Sequence, residues 1–133
     1  MSTTRRFDPE MMVVGVRHLR AFAAANPDVT LAVLTSSDGF EVASHPPGQA
    51  MTARIAAMSS SMQALSEALT REAGLTDNRN LIIESGSGTV MILGLATTPR
   101  LSLAIVAKNG ELLGKLLWAS RNLCKTLESN LPK

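Results

Sequence analysis

Between residues 50 and 73 the chain carries Met51, Ile55, Met58, Met62, Leu65 and Leu69, large apolar residues at alternating steps of four and three. That spacing predicts a long amphipathic helix, because a period near 3.6 holds such residues on one side. Gly74 stands where a left-handed closing residue belongs, and Leu75 is placed to fold back on Leu69, the contact that accompanies such an ending. A smaller stripe of Ala53, Ala57, Ser60, Ala64 and Ala68 runs beside the large one. The helix therefore offers two faces for close contact and can pack on two surfaces. Met51, Met58 and Met62 of this helix, with Met91 further on, are expected at core-facing positions.

The segments on either side read as shorter elements. Asp8-Pro9-Glu10 opens a first helix: Asp caps free backbone N–H groups, Pro suits the first turn, and Glu favours the positive end of the dipole. Met12, Val16, Leu19 and Ala23, with Phe22 beside them, mark its buried stripe as far as Asn26-Pro27, although Val13-Val14-Gly15-Val16 reads equally well as a strand. Residues 29–35 and 40–44 form two antiparallel strands across Ser36-Ser37-Asp38-Gly39, and His45-Pro46-Pro47-Gly48 ends the second. Residues 80–85 and 89–96 form a second hairpin across Gly86-Ser87-Gly88, and residues 101–107 add a third strand. Met91-Ile92-Leu93 and Leu103-Ala104-Ile105-Val106 are apolar on consecutive positions, so both faces of this sheet are covered by helices. Asn109-Gly110-Glu111 starts the last helix, with Leu113, Leu116, Leu117, Ser120, Cys124 and Leu127 as its inner stripe. The order is helix, two strands, long helix, three strands, helix, an α+β fold in a single domain over residues 8–131 after a flexible tail of residues 1–7.

This pattern leaves little room for chemistry. The chain's 13 basic residues nearly balance its 11 acidic ones, and Phe7, Phe22, Phe40 and Trp118 are its only aromatics, so it lacks the stacking platforms and basic interleaving of a nucleic-acid binder. Arg5-Arg6-Phe7 is followed by Asp8-Pro9-Glu10 rather than by an apolar run, and residues 89–107 are interrupted by Thr97-Thr98-Pro99-Arg100, so neither export nor membrane insertion is expected. One cysteine fits a reducing, cytoplasmic compartment. Gly86-Ser87-Gly88 lacks the Gly-Lys-Ser/Thr of a phosphate loop and the spacing of a nucleophile elbow, and it reads as a turn. His18 and His45 have no partner at zinc-binding spacing, Cys124 lies on a buried stripe, and Asp38 before Gly39 serves the turn. The sequence is read as non-enzymatic, with no catalytic residue, cofactor, metal or small-molecule substrate.

Leu31-Ala32-Val33-Leu34 before Ser37-Asp38-Gly39, Val42-Ala43, the Ala/Met/Leu-rich helix ending at Gly74-Leu75, Leu81-Ile82-Ile83-Glu84 before a glycine turn, and a last strand running into Gly110-Glu111-Leu112-Leu113-Gly114 resemble, in this order and spacing, the roadblock family. That family comprises compact domains of a dynein light chain and of bacterial regulators of Ras-like GTPases. The resemblance spans residues 29–127. It implies a five-stranded antiparallel sheet with the long helix on one face and the terminal helices on the other. It also implies a homodimer in which the strand at residues 80–85 pairs with its twin and the long helices lie side by side. Leu81-Ile82-Ile83 supports that pairing from the residues themselves, since an apolar edge without inward lysine or proline invites another strand. Ala57, Ser60, Ala64 and Ala68, with Leu81, Ile82 and Ile83, are the expected dimer contacts.

The function implied by the resemblance is a regulator or scaffold that binds a Ras-like small GTPase and modulates its nucleotide cycle. Arg54, Arg71 and Arg79 are the candidate partner contacts, with Arg100 and Arg121 as further arginines. Two alternatives stand beside it: a small-ligand sensor with a pocket between sheet and helix, and a purely structural subunit of a larger assembly.

Overall fold

The computed structural model describes residues 9–78, 80–108 and 113–132. Three helices and five strands follow one another as α1 (Pro9–Ala25), β1 (Val29–Ser36), β2 (Glu41–His45), α2 (Thr52–Glu72), β3 (Asn80–Ser85), β4 (Gly88–Leu95), β5 (Leu101–Lys108) and α3 (Leu113–Asn130). The strands form one antiparallel sheet in the order β2-β1-β5-β4-β3. The element order and the α+β class are those the sequence predicts. The predicted tail, Asp8 and the cap at Asn109 lie outside the described residues.

The two hairpins close for local reasons. In the first, Gly39 takes φ of +93°, the hydroxyl of Ser36 donates to Asp38 Oδ1 at 2.6 Å, and the N–H of Phe40 donates to Ser36 Oγ at 3.1 Å. Asp38 thus belongs to the turn. In the second, β3 and β4 pair without a break from Asn80↔Leu93 to Ser85↔Gly88.

Alternation along the strands sends two sets of side chains to opposite faces. On one face, Ala32 and Leu34, Met91, Leu93 and Leu95, and Leu101, Leu103 and Ile105 meet α1 and α3 in a cluster of 20 buried residues, the main core. On the other, Leu31, Val33, Ile92 and Ala104 meet Ala56 of α2 in a cluster of five. Both faces are covered, as the consecutive apolar runs require, but very unequally.

The inner stripe of α3 is Leu116, Ser120, Cys124 and Leu127, with Leu113 and Leu117 half-buried; Leu123 joins it. The stripe of α1 differs from the expectation. Val14, Gly15, Leu19 and Phe22 are buried, whereas Met12 and Val16 are exposed. The reason is Gly15: a Cβ there would stand 2.8 Å from Ala43 Cβ and 3.3 Å from Leu34 Cδ2, so the missing side chain lets α1 settle on β1 and β2 along that line. Among the described residues no helix is long and apolar enough to cross a membrane.

Candidate protein-interaction surface

The inward side of α2 is small and polar. Thr52, Ala56, Ser59 and Gln63 are its buried residues, and Ile55 and Met62 reach the sheet from one flank, against the cluster that includes Leu81, Val90 and Val106. The large apolar stripe is therefore rotated off the core. Met51, Met58, Leu65 and Leu69 are exposed, Met58 by 62%, Leu65 by 69% and Leu69 by 68%. This corrects the expectation that Met51 and Met58 face the core; of the four methionines, Met91 is fully buried and Met62 half-buried. Physically, the sheet face under α2 is already filled by Leu31, Val33 and Ile92, so small side chains bring the helix backbone close and exclude large ones.

The opposite flank of α2 turns to its own chain. Ser60 Oγ donates to Ser37 O at 2.8 Å, and the tip of the first hairpin at Gly39 comes up against Ala57 and Ser60. Ala57 and Ser60 are thus next to the β1–β2 turn, while Ala64 and Ala68 are exposed further along the helix. The large stripe, on the other flank, is the one that faces β4 and β3.

β3 is one edge of the sheet, with β2 the other, and α2 lies over β1 and β5 and reaches β2 and β4. Leu81 and Ile83 point to the α2 side, opposite Ile92 and Val90 in register, and Ile83 remains 39% exposed. Ile82 points to the other face, against the main core. An apolar shelf results: Leu81, Ile83, Val90 and Val106 form its floor and Ile55 and Met62 its wall, with Met58 and Leu65 exposed above them on the same flank of α2. It ends at the free hydrogen-bonding edge of β3.

Polar contacts fix α2 relative to that edge. Thr70 Oγ1 donates to Ser66 O at 2.8 Å, and Asn78 Nδ2 donates to Ser66 Oγ at 2.8 Å, tying the helix's last turns to the lead-in of β3. Arg100 lies 3.1 Å from the Glu67 carboxylate and crosses Gly94, where a Cβ would meet its guanidinium at 2.7 Å. The helix closes at Gly74, φ +79°, with the N–H of Leu75 donating to Thr70 O and that of Gly74 to Arg71 O. The bonds of the predicted ending are present, but Leu69 and Leu75 both stay exposed.

Arg54 and Arg71 are exposed on α2, Arg100 is committed to Glu67, Arg121 donates to Asn80 Oδ1 at 3.4 Å, and Arg79 lies outside the described residues. Cys124 is buried, and desolvation, with the Glu128 carboxylate as a lesser cause, pushes its thiol up to about 12, the reverse of nucleophile activation. Among the described residues no group of three or more His, Cys, Asp or Glu side chains could hold a metal. A hollow of about 610 Å³ opens beside α3, lined by Asn80, Trp118, Arg121 and Lys125 among others, on the sheet face away from α2.

An exposed apolar seam on α2 thus lies beside the edge strand β3. A family model described as Roadblock/LC7 domain matches residues 18–107. The chain belongs to the Roadblock/LC7 family. Solved structures share the fold. A Roadblock/LC7 domain from Streptomyces avermitilis is 22% identical with a TM-score of 0.77, covering 86% of this chain and 94% of its own. Myxococcus xanthus MglB is 18% identical with a TM-score of 0.75, covering 96% of both. An MglB solved in a tetrameric arrangement is 16% identical with a TM-score of 0.80, covering 92% of this chain and 91% of its own. Comparison with curated proteins finds no match. This Roadblock/LC7 chain was recognisable by the order of its hairpins and long helix. The orientation of α2 was not, because the 4-3 repeat marks an apolar stripe without saying whether the core or a partner covers it.

Proposed function

We propose that this chain is a non-enzymatic, homodimeric regulator or scaffold that docks a Ras-like small GTPase and modulates its nucleotide cycle. The observation that carries the dimer is the exposed 4-3 seam of α2 lying beside the open edge of β3. A second copy related by a two-fold axis covers both at once: β3 pairs with β3, and Met58, Leu65 and Leu69 pack on their counterparts. The contact is isologous, as most soluble dimers use, and an MglB solved in a tetrameric arrangement agrees with self-association in this fold. In this reading the contact set on α2 is the large stripe, in place of the Ala57 and Ser60 flank. Leu81 and Ile83 contribute side chains and Ile82 the backbone between them.

The GTPase partner follows from the family, whose bacterial regulators the sequence resembles. Arg54 and Arg71, exposed on α2, are the described arginines offered to it. The test is single-turnover GTP hydrolysis and nucleotide release by a Ras-like GTPase of the same cell, with and without the protein. A change in either rate that disappears in Leu65→Glu supports the reading. Rates unchanged at saturating protein, with no co-sedimentation of the two, reject the GTPase half and leave the dimer to be judged by sedimentation.

A further inference from the structure

The two helical layers differ in charge. α1 and α3 carry five basic residues, Arg17, Arg20, Lys115, Arg121 and Lys125, against two acidic ones, Glu10 and Glu128, a net of +3. α2 carries Arg54 and Arg71 against Glu67 and Glu72 and is neutral. One carboxylate of the first layer is already engaged, for Glu128 Oε2 accepts the N–H of Ala96 at 2.7 Å. The layer with the cations also exposes apolar side chains that no described residue covers. Val13 is 65% exposed and Trp118 69%, with Met12 and Val16 beside Val13.

Helical geometry puts these groups on the outermost lines. Val13, Arg17 and Arg20 lie on α1 away from Leu19 and Phe22, with Met12 and Val16 on the flank between, and Trp118 and Lys125 lie seven apart on α3 opposite its buried stripe. α1 and α3 share one sheet face and one core, so both crests look the same way. The result is a surface of apolar tips with cations among them, bordered on its β4 side by the hollow that Trp118, Arg121 and Lys125 line.

We infer that the α1/α3 layer docks on an anionic lipid surface, with Val13 and Trp118 entering the headgroup region and Arg17, Arg20 and Lys125 meeting lipid phosphates. Apolar tips, an exposed indole and long cationic side chains in one layer are what an interfacial surface uses, since the indole is wet at one end and lysine and arginine keep their charge in water. The surface belongs to one protomer and stands whether or not the dimer forms. A continuous sheet across the dimer would turn two such layers to the same side and raise avidity.

Trp118 is the chain's one tryptophan, so its emission reports on this surface directly. The protein is mixed with vesicles of phosphatidylcholine, or of phosphatidylcholine with roughly one-third phosphatidylglycerol, and followed by flotation and fluorescence. Expected are flotation with the anionic vesicles only, a blue shift of Trp118, and release by salt. Each cation near such a surface is worth a factor of about five, so Arg17→Glu with Arg20→Glu lowers partitioning by about 25-fold or more. Val13→Asp weakens it as well. These positions are exposed, so an unchanged melting midpoint shows that the variants fold. Leu65→Glu, which removes the dimer seam, keeps the Trp118 shift at saturating lipid. Absence of flotation at low salt, binding without a Trp118 shift, or binding undiminished in the α1 variants overturns the inference. An equal shift with soluble polyglutamate also overturns it, assigning the surface to an acidic protein.

Discussion

Leu65→Ala isolates the seam from the fold. Leu65 is 69% exposed in the protomer. Full burial of a leucine is worth about 1.5–3 kcal/mol, so the exposed two-thirds leaves about 1–2 kcal/mol to be gained when a partner covers it. A two-fold interface counts the residue twice, and truncation to alanine therefore costs the dimer about 2–4 kcal/mol. That raises the dimer Kd about 30- to 700-fold. The protomer itself should hardly notice, because a surface truncation with no special role stays within about 0.5 kcal/mol. Sedimentation equilibrium over a dilution series gives the Kd, and urea unfolding at a concentration where both proteins are monomeric gives the protomer's stability. Ala64→Leu, away from the seam, is the control and should leave the Kd in place. A Leu65→Ala shift within about threefold, or one matched by Ala64→Leu, would refute the placement of the seam at the interface.

Three substitutions probe the frame that presents the seam. Gly15→Val forces bulk into the contact where a Cβ alone would stand 2.8 Å from Ala43 Cβ; overpacking costs about 1–3 kcal/mol, and calorimetry should show the melting midpoint fall by several degrees. An unchanged midpoint would mean that α1 does not approach β2 along Gly15. Gly74→Ala puts a side chain at φ +79° and should cost about 1–2 kcal/mol in urea unfolding, with Gly74→Asn costing less; equal losses in both would disprove the left-handed ending. Burial, then Glu128, holds the Cys124 thiol at about 12 against an ordinary value of 9.0. The unfolded chain ionises first, so this stability is complete below pH 9 and falls between pH 9 and 12, by at most about 1.4 kcal/mol per pH unit. Cys124→Ala should lack that slope in urea titrations on either side of pH 9, and parallel pH profiles of the two proteins would contradict it.

The strands were legible because both of their faces are filled. Leu103-Ala104-Ile105-Val106, a short run apolar at consecutive positions, reads as a strand covered on both sides, and it pairs with β1 and β4 in the centre of the sheet. The turns were legible because Gly39 and Gly74 carry conformations that other residues resist. The sequence marks the inner side of α3 correctly, and what it left open is which side of α1 and α2 the sheet takes. On α1 the deciding residue is Gly15, a position with no side chain to enter an apolar tally. On α2 the deciding residues are Thr52, Ser59 and Gln63, polar and easily assigned to solvent, yet buried because they are small or can lie flat under the helix. Periodicity finds a stripe, and the volume left between helix and sheet decides where it points.

That volume also bears on how the domain holds together. α1 and α3 share a core of 20 buried residues, whereas α2 is held by five, of which Ala56 is the helix's own. Polar ties at Ser66, Asn78, Glu67 and Arg100 position its second half, but such exposed or half-exposed contacts contribute little net free energy. A helix of 21 residues whose buried side is mostly Thr, Ala, Ser and Gln gains little from its own sheet. Met58, Leu65 and Leu69 stay exposed on the protomer, and the proposed dimer is what desolvates them. In the proposed dimer, self-association and the ordering of α2 are one equilibrium: a partner that covers Met58, Leu65 and Leu69 stabilises the helix against the sheet, and loss of the partner loosens it. Amide exchange along α2 should rise on dilution below the dimer Kd while α1 and α3 stay protected, which ties the layer that recognises a partner to the layer the protomer holds least tightly.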